Sequence, residues 1–137
     1  MRGGTRRATR GRRQAAPAQP IPSDDKALLA RSALIDARAL DPVLLDMRPL
    51  TLITDYFLIC HGTSNVHIRG LADAVLEALK KESISPYGVE GQDDARWILI
   101  DYGDLIVHIF AEEEREFYSL ERLWSDAAQL PAPTEDE

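Results

Sequence analysis

Cysteine is nearly absent from this chain of 137 residues: Cys60 is its one thiol, so no disulfide can close within it. Cys60 stands in an apolar stretch, where a buried and unreactive thiol is expected. No apolar run approaches the ~18 residues that span a bilayer, and the N-terminus lacks the apolar segment of a secretory leader. A cytoplasmic protein with no membrane partner is therefore expected. A phosphate-binding glycine loop and a Gly-x-Ser-x-Gly elbow are also missing, and no acid is placed to orient a histidine as a base. His61, His67 and His108 with Cys60 do not match a metal-ligand spacing, because adjacent Cys60 and His61 point to opposite faces of a strand. Neither a catalytic residue nor a metal or cofactor is expected from these patterns.

Acid is missing from one end only. Arg2, Arg6, Arg7, Arg10, Arg12 and Arg13 precede Ser23 without a single Asp or Glu. The other ten basic residues face 23 acidic ones, so residues 23–137 carry −13 within a net charge of −7. Such a body is repelled by nucleic-acid phosphates and suits a basic protein partner. Residues 1–22 hold three prolines and, after Met1, Ile21 as their one large apolar side chain, too little to offset the entropy of ordering. They are read as a disordered, Arg-rich tail. Contact of that tail with RNA phosphates and a role as a transit peptide are the functional alternatives, although a transit peptide needs an apolar helix face that this segment lacks. One domain over 23–127 and an acidic C-terminal tail over 128–137 complete the expected organisation.

Between the tails, Ser23 offers a cap and Asp24 and Asp25 acidify the first turn of a helix, with Leu28, Leu29, Ser32, Ile35 and Ala39 at helical spacing up to Pro42. Two strands are expected over 43–47 and 55–60, the second apolar on both faces and hence central. Ile68, Leu71, Ala72, Val75, Leu76 and Leu79 mark the strongest helix, with a solvated charged face opposite. Strands over 84–89, 97–100 and 105–110 follow. A last helix opens at Glu112, with Phe117, Leu120, Leu123 and Trp124 expected inside. The order predicts an α/β sandwich: a mixed five-stranded sheet with helices packed on it.

The pair of strands joined by Asp101-Tyr102-Gly103-Asp104 reads as a β-hairpin with acid on its tip. Alternation places Trp97, Leu99 and Asp101 on one face and Ile98 and Ile100 on the other. A tryptophan sharing a face with an acid is more simply understood as half-exposed than as core. The expected partner-binding set is thus Glu90, Trp97, Asp101, Tyr102 and Asp104: two hairpin carboxylates and a phenol beside an indole, extended by Glu90. Trp124, at helical spacing from Phe117 and Leu120, reads as core. As turn residues, the hairpin acids need no function at all.

Arg96 to Asp104 with the strand after it, Val89-Glu90-Gly91 before it and Glu114 to Trp124 behind it form an ordered series of blocks. Upstream of them stand Leu45-Asp46-Met47, Thr54-Asp55-Tyr56-Phe57 and Gly62-Thr63-Ser64. Taken in order, roughly from Asp24 to Asp126, they resemble the ribosomal silencing factor family, RsfS or Iojap. The resemblance implies a nucleotidyltransferase-like fold and a non-enzymatic repressor of translation. Such a factor binds a basic large-subunit ribosomal protein, the one numbered fourteen, and blocks subunit joining under nutrient limitation. Organelle relatives of the family act in ribosome assembly, and homodimers occur in it, although an acidic body is equally compatible with a monomer. A nucleotidyltransferase acting on a nucleotide or tRNA end is the alternative of another class. Gly62-Thr63-Ser64 sits where its triphosphate turn would be, but the acidic pair that would hold magnesium is missing after it, and a strand stop with a helix cap accounts for the turn.

Overall fold

The computed structural model describes residues 21–131, so the expectations for residues 1–20 and 132–137 lie outside the described residues. The chain runs α1 (Ser23–Asp36), β1 (Leu40–Asp46), β2 (Tyr56–Gly62), α2 (Asn65–Lys80), β3 (Gly88–Glu90), β4 (Trp97–Asp101), β5 (Leu105–Ala111), α3 (Glu112–Tyr118), α4 (Leu120–Leu123) and β6 (Ala128–Gln129). The six strands form one mixed sheet in the order β3-β4-β5-β2-β1-β6. β2 and β5 are parallel and central, which explains why both are apolar on two faces. The other pairs are antiparallel, including the β4–β5 hairpin, closed by Tyr102 N–H donating to the Leu105 carbonyl at 2.8 Å.

α1 and α2 cover one face. There Leu58, Cys60, Ile98, Ile100, Val107 and Ile109 meet Ala27, Ala30 and Leu34 of α1 and Ile68, Leu71 and Val75 of α2 in one core. Ser64 caps α2 by accepting from His67 N–H at 3.0 Å, and the buried stripe of α2 matches the expected periodicity. α1 differs. Its buried stripe is Ala27, Ala30, Arg31 and Leu34, leaving Leu28 and Ile35 exposed, because the two alanines let its backbone approach where larger side chains would hold it off. Ser23 makes no side-chain cap bond, and the helix ends at Asp36, not near Pro42: Arg38 turns left-handed and Ala39 N–H donates to the Leu34 carbonyl.

Three further boundaries move. The expected strand over 84–89 shrinks to Gly88–Glu90, since Ser83 is left-handed and Ile84 N–H is drawn back to the Leu79 carbonyl of α2. The last helix breaks at Ser119, which adopts φ 45° and separates α3 from a single turn, α4. Residues 128–130, expected in a tail, join the sheet: β6 pairs with β1, and Leu130 N–H donates to the Leu44 carbonyl at 2.9 Å. Arg31 adds a bond from its Nη1 to the Pro131 carbonyl at 2.8 Å. A two-residue edge strand has no periodicity to betray it.

Candidate functional site

The second sheet face is only partly covered. Leu120, Trp124 and Ala127 of the C-terminal segment pack on Leu45, Met47, Ile59 and Phe110, while among the described residues no helix lies over the half toward β3 and β4. Trp97 stands on the border. Register places it across from Phe110, with Leu99 across from His108 and Glu90 across from Leu99. Glu90, Trp97, Leu99 and Asp101 therefore share this face, and Glu90 is the diagonal neighbour of Trp97.

The indole is half-buried and held on three sides. Its ring stacks on Phe110 with centroids 4.9 Å apart and leans on Tyr118 at 4.7 Å, and its Nε1–H donates to His108 Nδ1 at 3.2 Å. His108 is buried in turn, edge-on to Phe57 at 4.7 Å. Accepting at Nδ1 makes it the neutral tautomer with its proton on Nε2, a buried atom that has no partner among the described residues. Burial pushes this imidazole down to about 4.

α3 completes the rim. Phe117 is 80% exposed and Tyr118 45% exposed, the two rings perpendicular at 5.0 Å. They line an open cleft of about 680 Å³ with Glu113, Glu114 and Glu116. Arg96, next to Trp97, pairs with Glu113 and Glu114 at 2.9 Å each, and the guanidinium holds the Glu114 carboxyl below its usual range. Behind them Arg115 pins the helix to the sheet. It donates to Glu121, to the Leu40 carbonyl at 3.2 Å and to His61 Nδ1 at 2.9 Å, so burial and then this cation lower the His61 pKa.

The five residues singled out from the sequence do not form one patch. Trp97 and Glu90 adjoin on the open face, but Asp101 lies four residues along β4, about 13 Å from Trp97 at the rise of a strand. Its carboxylate accepts from Gly103 N–H at 2.7 Å and shapes the turn. Tyr102 is corrected outright: it is 3% exposed within the helix-covered core, its hydroxyl has no partner among the described residues, and burial pushes it up to about 12. A turn residue beyond an alternating strand took the inward direction. Asp104 binds Lys26 of α1 at 2.7 Å, and its carbonyl accepts from Asp55 and Tyr56 N–H. Further acid on this rim comes from α3, whose Glu113, Glu114 and Glu116 line a cleft with Tyr118. Phe117 and Leu123, expected inside, are exposed, and Trp124 is only partly buried, edge-on to Phe57 at 6.1 Å. Tyr118 and the α3 glutamates are the rim residues that periodicity hid, since an unbroken helix would have turned Phe117 inward.

The Gly62-Thr63-Ser64 turn closes on itself. Ser64 is occupied by the α2 cap and Thr63 N–H donates to His67 Nδ1 at 3.0 Å, while Glu112 and Glu113 stand around the small cavity there. Among the described residues no group of three or more His, Cys, Asp or Glu side chains is arranged to hold a metal.

The described residues form a mixed-sheet α/β domain with an aromatic rim on the partly open sheet face. Residues 20–137 match the family described as "Ribosomal silencing factor during starvation". The chain belongs to that ribosomal silencing factor family. It is 43% identical over 99 residues to the ribosomal silencing factor RsfS of Bacillus subtilis, covering 72% of this chain and 84% of that one. It is 32% identical over 138 residues to the mouse "Mitochondrial assembly of ribosomal large subunit protein 1", covering 94% of this chain and 60% of that one. The crystal structure of a Chromobacterium violaceum protein superposes with a TM-score of 0.75 at 31% identity, over 82% of this chain and 92% of that one.

Proposed function

We propose that this protein is a translation repressor that acts by occupancy and not by catalysis: it docks on a basic protein of the large ribosomal subunit, the one numbered fourteen, and its bulk blocks joining of the small subunit. The observation that carries the reading is the Trp97–Tyr118 rim, where a half-buried indole fixed by Phe110, Tyr118 and His108 has Glu90 diagonal to it, and Tyr118 in turn lines a cleft with Glu113, Glu114 and Glu116. A preorganised aromatic anchor with carboxylates farther along the same rim is what a Lys- and Arg-rich protein surface engages with little ordering cost. The silencing-factor names point to the ribosome, and the mouse relative's name points to its large subunit as the setting. The mouse relative's name also supports a second reading, assistance in large-subunit assembly through the same surface. Repression under nutrient limitation and a cytoplasmic site of action complete the proposal.

Co-sedimentation tests it. The protein should travel with free large subunits and be missing from joined ribosomes, and equal presence on both would remove the joining block. Trp97→Ala and Tyr118→Ala should each weaken binding to the isolated ribosomal protein by about 2 kcal/mol. Tyr118→Ala is the cleaner variant, because its ring is the more exposed of the two. Unchanged affinity in a folded Tyr118→Ala protein would place the anchor elsewhere.

A further inference from the structure

The loop between β1 and β2 carries the most exposed aliphatic side chains among the described residues. Leu52 is 103% exposed and Ile53 81%, with Leu50 beside them at 38%. The loop is nevertheless built and held. Leu50 and Thr51 N–H both donate to the Met47 carbonyl, at 2.9 and 3.1 Å, Ile53 N–H donates to Thr51 Oγ1 at 3.1 Å, and Thr54 is buried at its base. Met47 N–H donates to the Asp55 carbonyl at 2.8 Å and closes the neck, while Asp55 N–H is fastened to the hairpin turn through the Asp104 carbonyl. Fixed aliphatic groups held out in water on a hydrogen-bonded knuckle lose hydration free energy that burial against a partner would recover.

The charges around the knuckle narrow the occupant. Asp24 and Asp25 open α1 at this end of the sheet, Asp46, Asp55 and Asp104 stand at the strand ends, and Lys26 and Arg48 are both engaged, with Asp104 and Asp46 at 2.7 Å. Arg48, bound to Asp46, also lies over the ring of Tyr56, 5.2 Å from its centroid, and Tyr56 is next to Asp55 in the chain. Phosphate is repelled by such a rim, and so is the same acidic rim of a second copy. Trp97 is four register positions away along the hairpin, at its opposite end, so the knuckle is not part of the aromatic rim.

We propose that Leu52 and Ile53 form a second anchor that inserts into an apolar pocket on a basic ribosomal protein while the Trp97 rim engages its own site. This rests on the large-subunit reading and deepens it: two anchors at opposite ends of one sheet fix the orientation of the domain, and orientation is what a steric block requires. Because Cys60 is buried, Leu52→Cys supplies the one accessible thiol of the chain for a photo-crosslinker. Irradiated on purified large subunits, it should yield an adduct with a ribosomal protein. An adduct with RNA or with the chain itself, or no adduct on bound subunits, overturns the proposal. Leu52→Ser combined with Ile53→Ser should raise the Kd for large subunits by about tenfold or more with Tm kept, multiplying the effect of Tyr118→Ala. An unchanged Kd overturns the second anchor alone, whereas wild-type protein that fails to bind large subunits overturns the ribosomal reading first.

Discussion

His108 shows how much a single buried side chain decides. It lies between the strands that carry Trp97 and Phe57, accepts the indole N–H, and keeps its own Nε2–H without a partner among the described residues. An unfolded imidazole ionises near 6.5 and this one near 4, so between those values the unfolded chain holds more protons and stability climbs with pH. The contribution is complete above pH 6.5 and lost by about pH 4, up to about 3 kcal/mol. His61 acts in the same direction. His108→Phe should therefore flatten the pH dependence of urea unfolding below neutrality, and an identical slope in the variant would show that the imidazole is not held neutral. Cys60, with burial pushing its thiol up to about 12, should stay unmodified by thiol reagents until the fold opens.

At the scale of the element, the connection from β3 to β4 sets the position of the indole. Gly91 adopts φ +86°, and a Cβ there would lie 2.0 Å from the Trp97 carbonyl oxygen, which is backbone and cannot swing aside. Gly91→Ala should cost at least about 2 kcal/mol in urea unfolding and loosen partner binding as Trp97 shifts. A variant with wild-type stability would mean that the turn reforms another way. α3 depends on a different device. Ser119 in the left-handed region ends it, and Arg115 clamps it to Glu121, His61 and the β1 edge, so Phe117 and Tyr118 are presented from a fixed stub and not from a helix that continues.

For the whole molecule, the charge division matters most. The −13 of residues 23–137 and the six arginines ahead of them make opposite demands on a ribosome, whose surface offers both basic protein and anionic RNA. If the folded body holds the main contact, deleting residues 1–22 should weaken large-subunit binding only severalfold, and that loss should vanish as ionic strength rises. Abolished binding would move the principal contact to the tail. Steric block also predicts that occupancy tracks the concentration of free large subunits, since one protein excludes one joining event.

Composition and periodicity determined the α/β layering, the amphipathic α2, the apolar central strands β2 and β5 and the hairpin, because each is written in neighbouring residues at spacings of two or of three to four. Those local patterns, with the ordered blocks from Leu45 to Trp124, were also enough for the family resemblance. Solvent exposure was another matter. Tyr102 went under the helices while Tyr118 came out, Asp104 was taken by Lys26 of α1, α1 seated its alanines and not its leucines, and residues 128–130 became an edge strand. Each of these depends on partners far away in the chain, such as Arg31 with Pro131 or Trp97 with Phe110. Burial belongs to the pairing of surfaces, and a side chain acquires it only when the sheet closes.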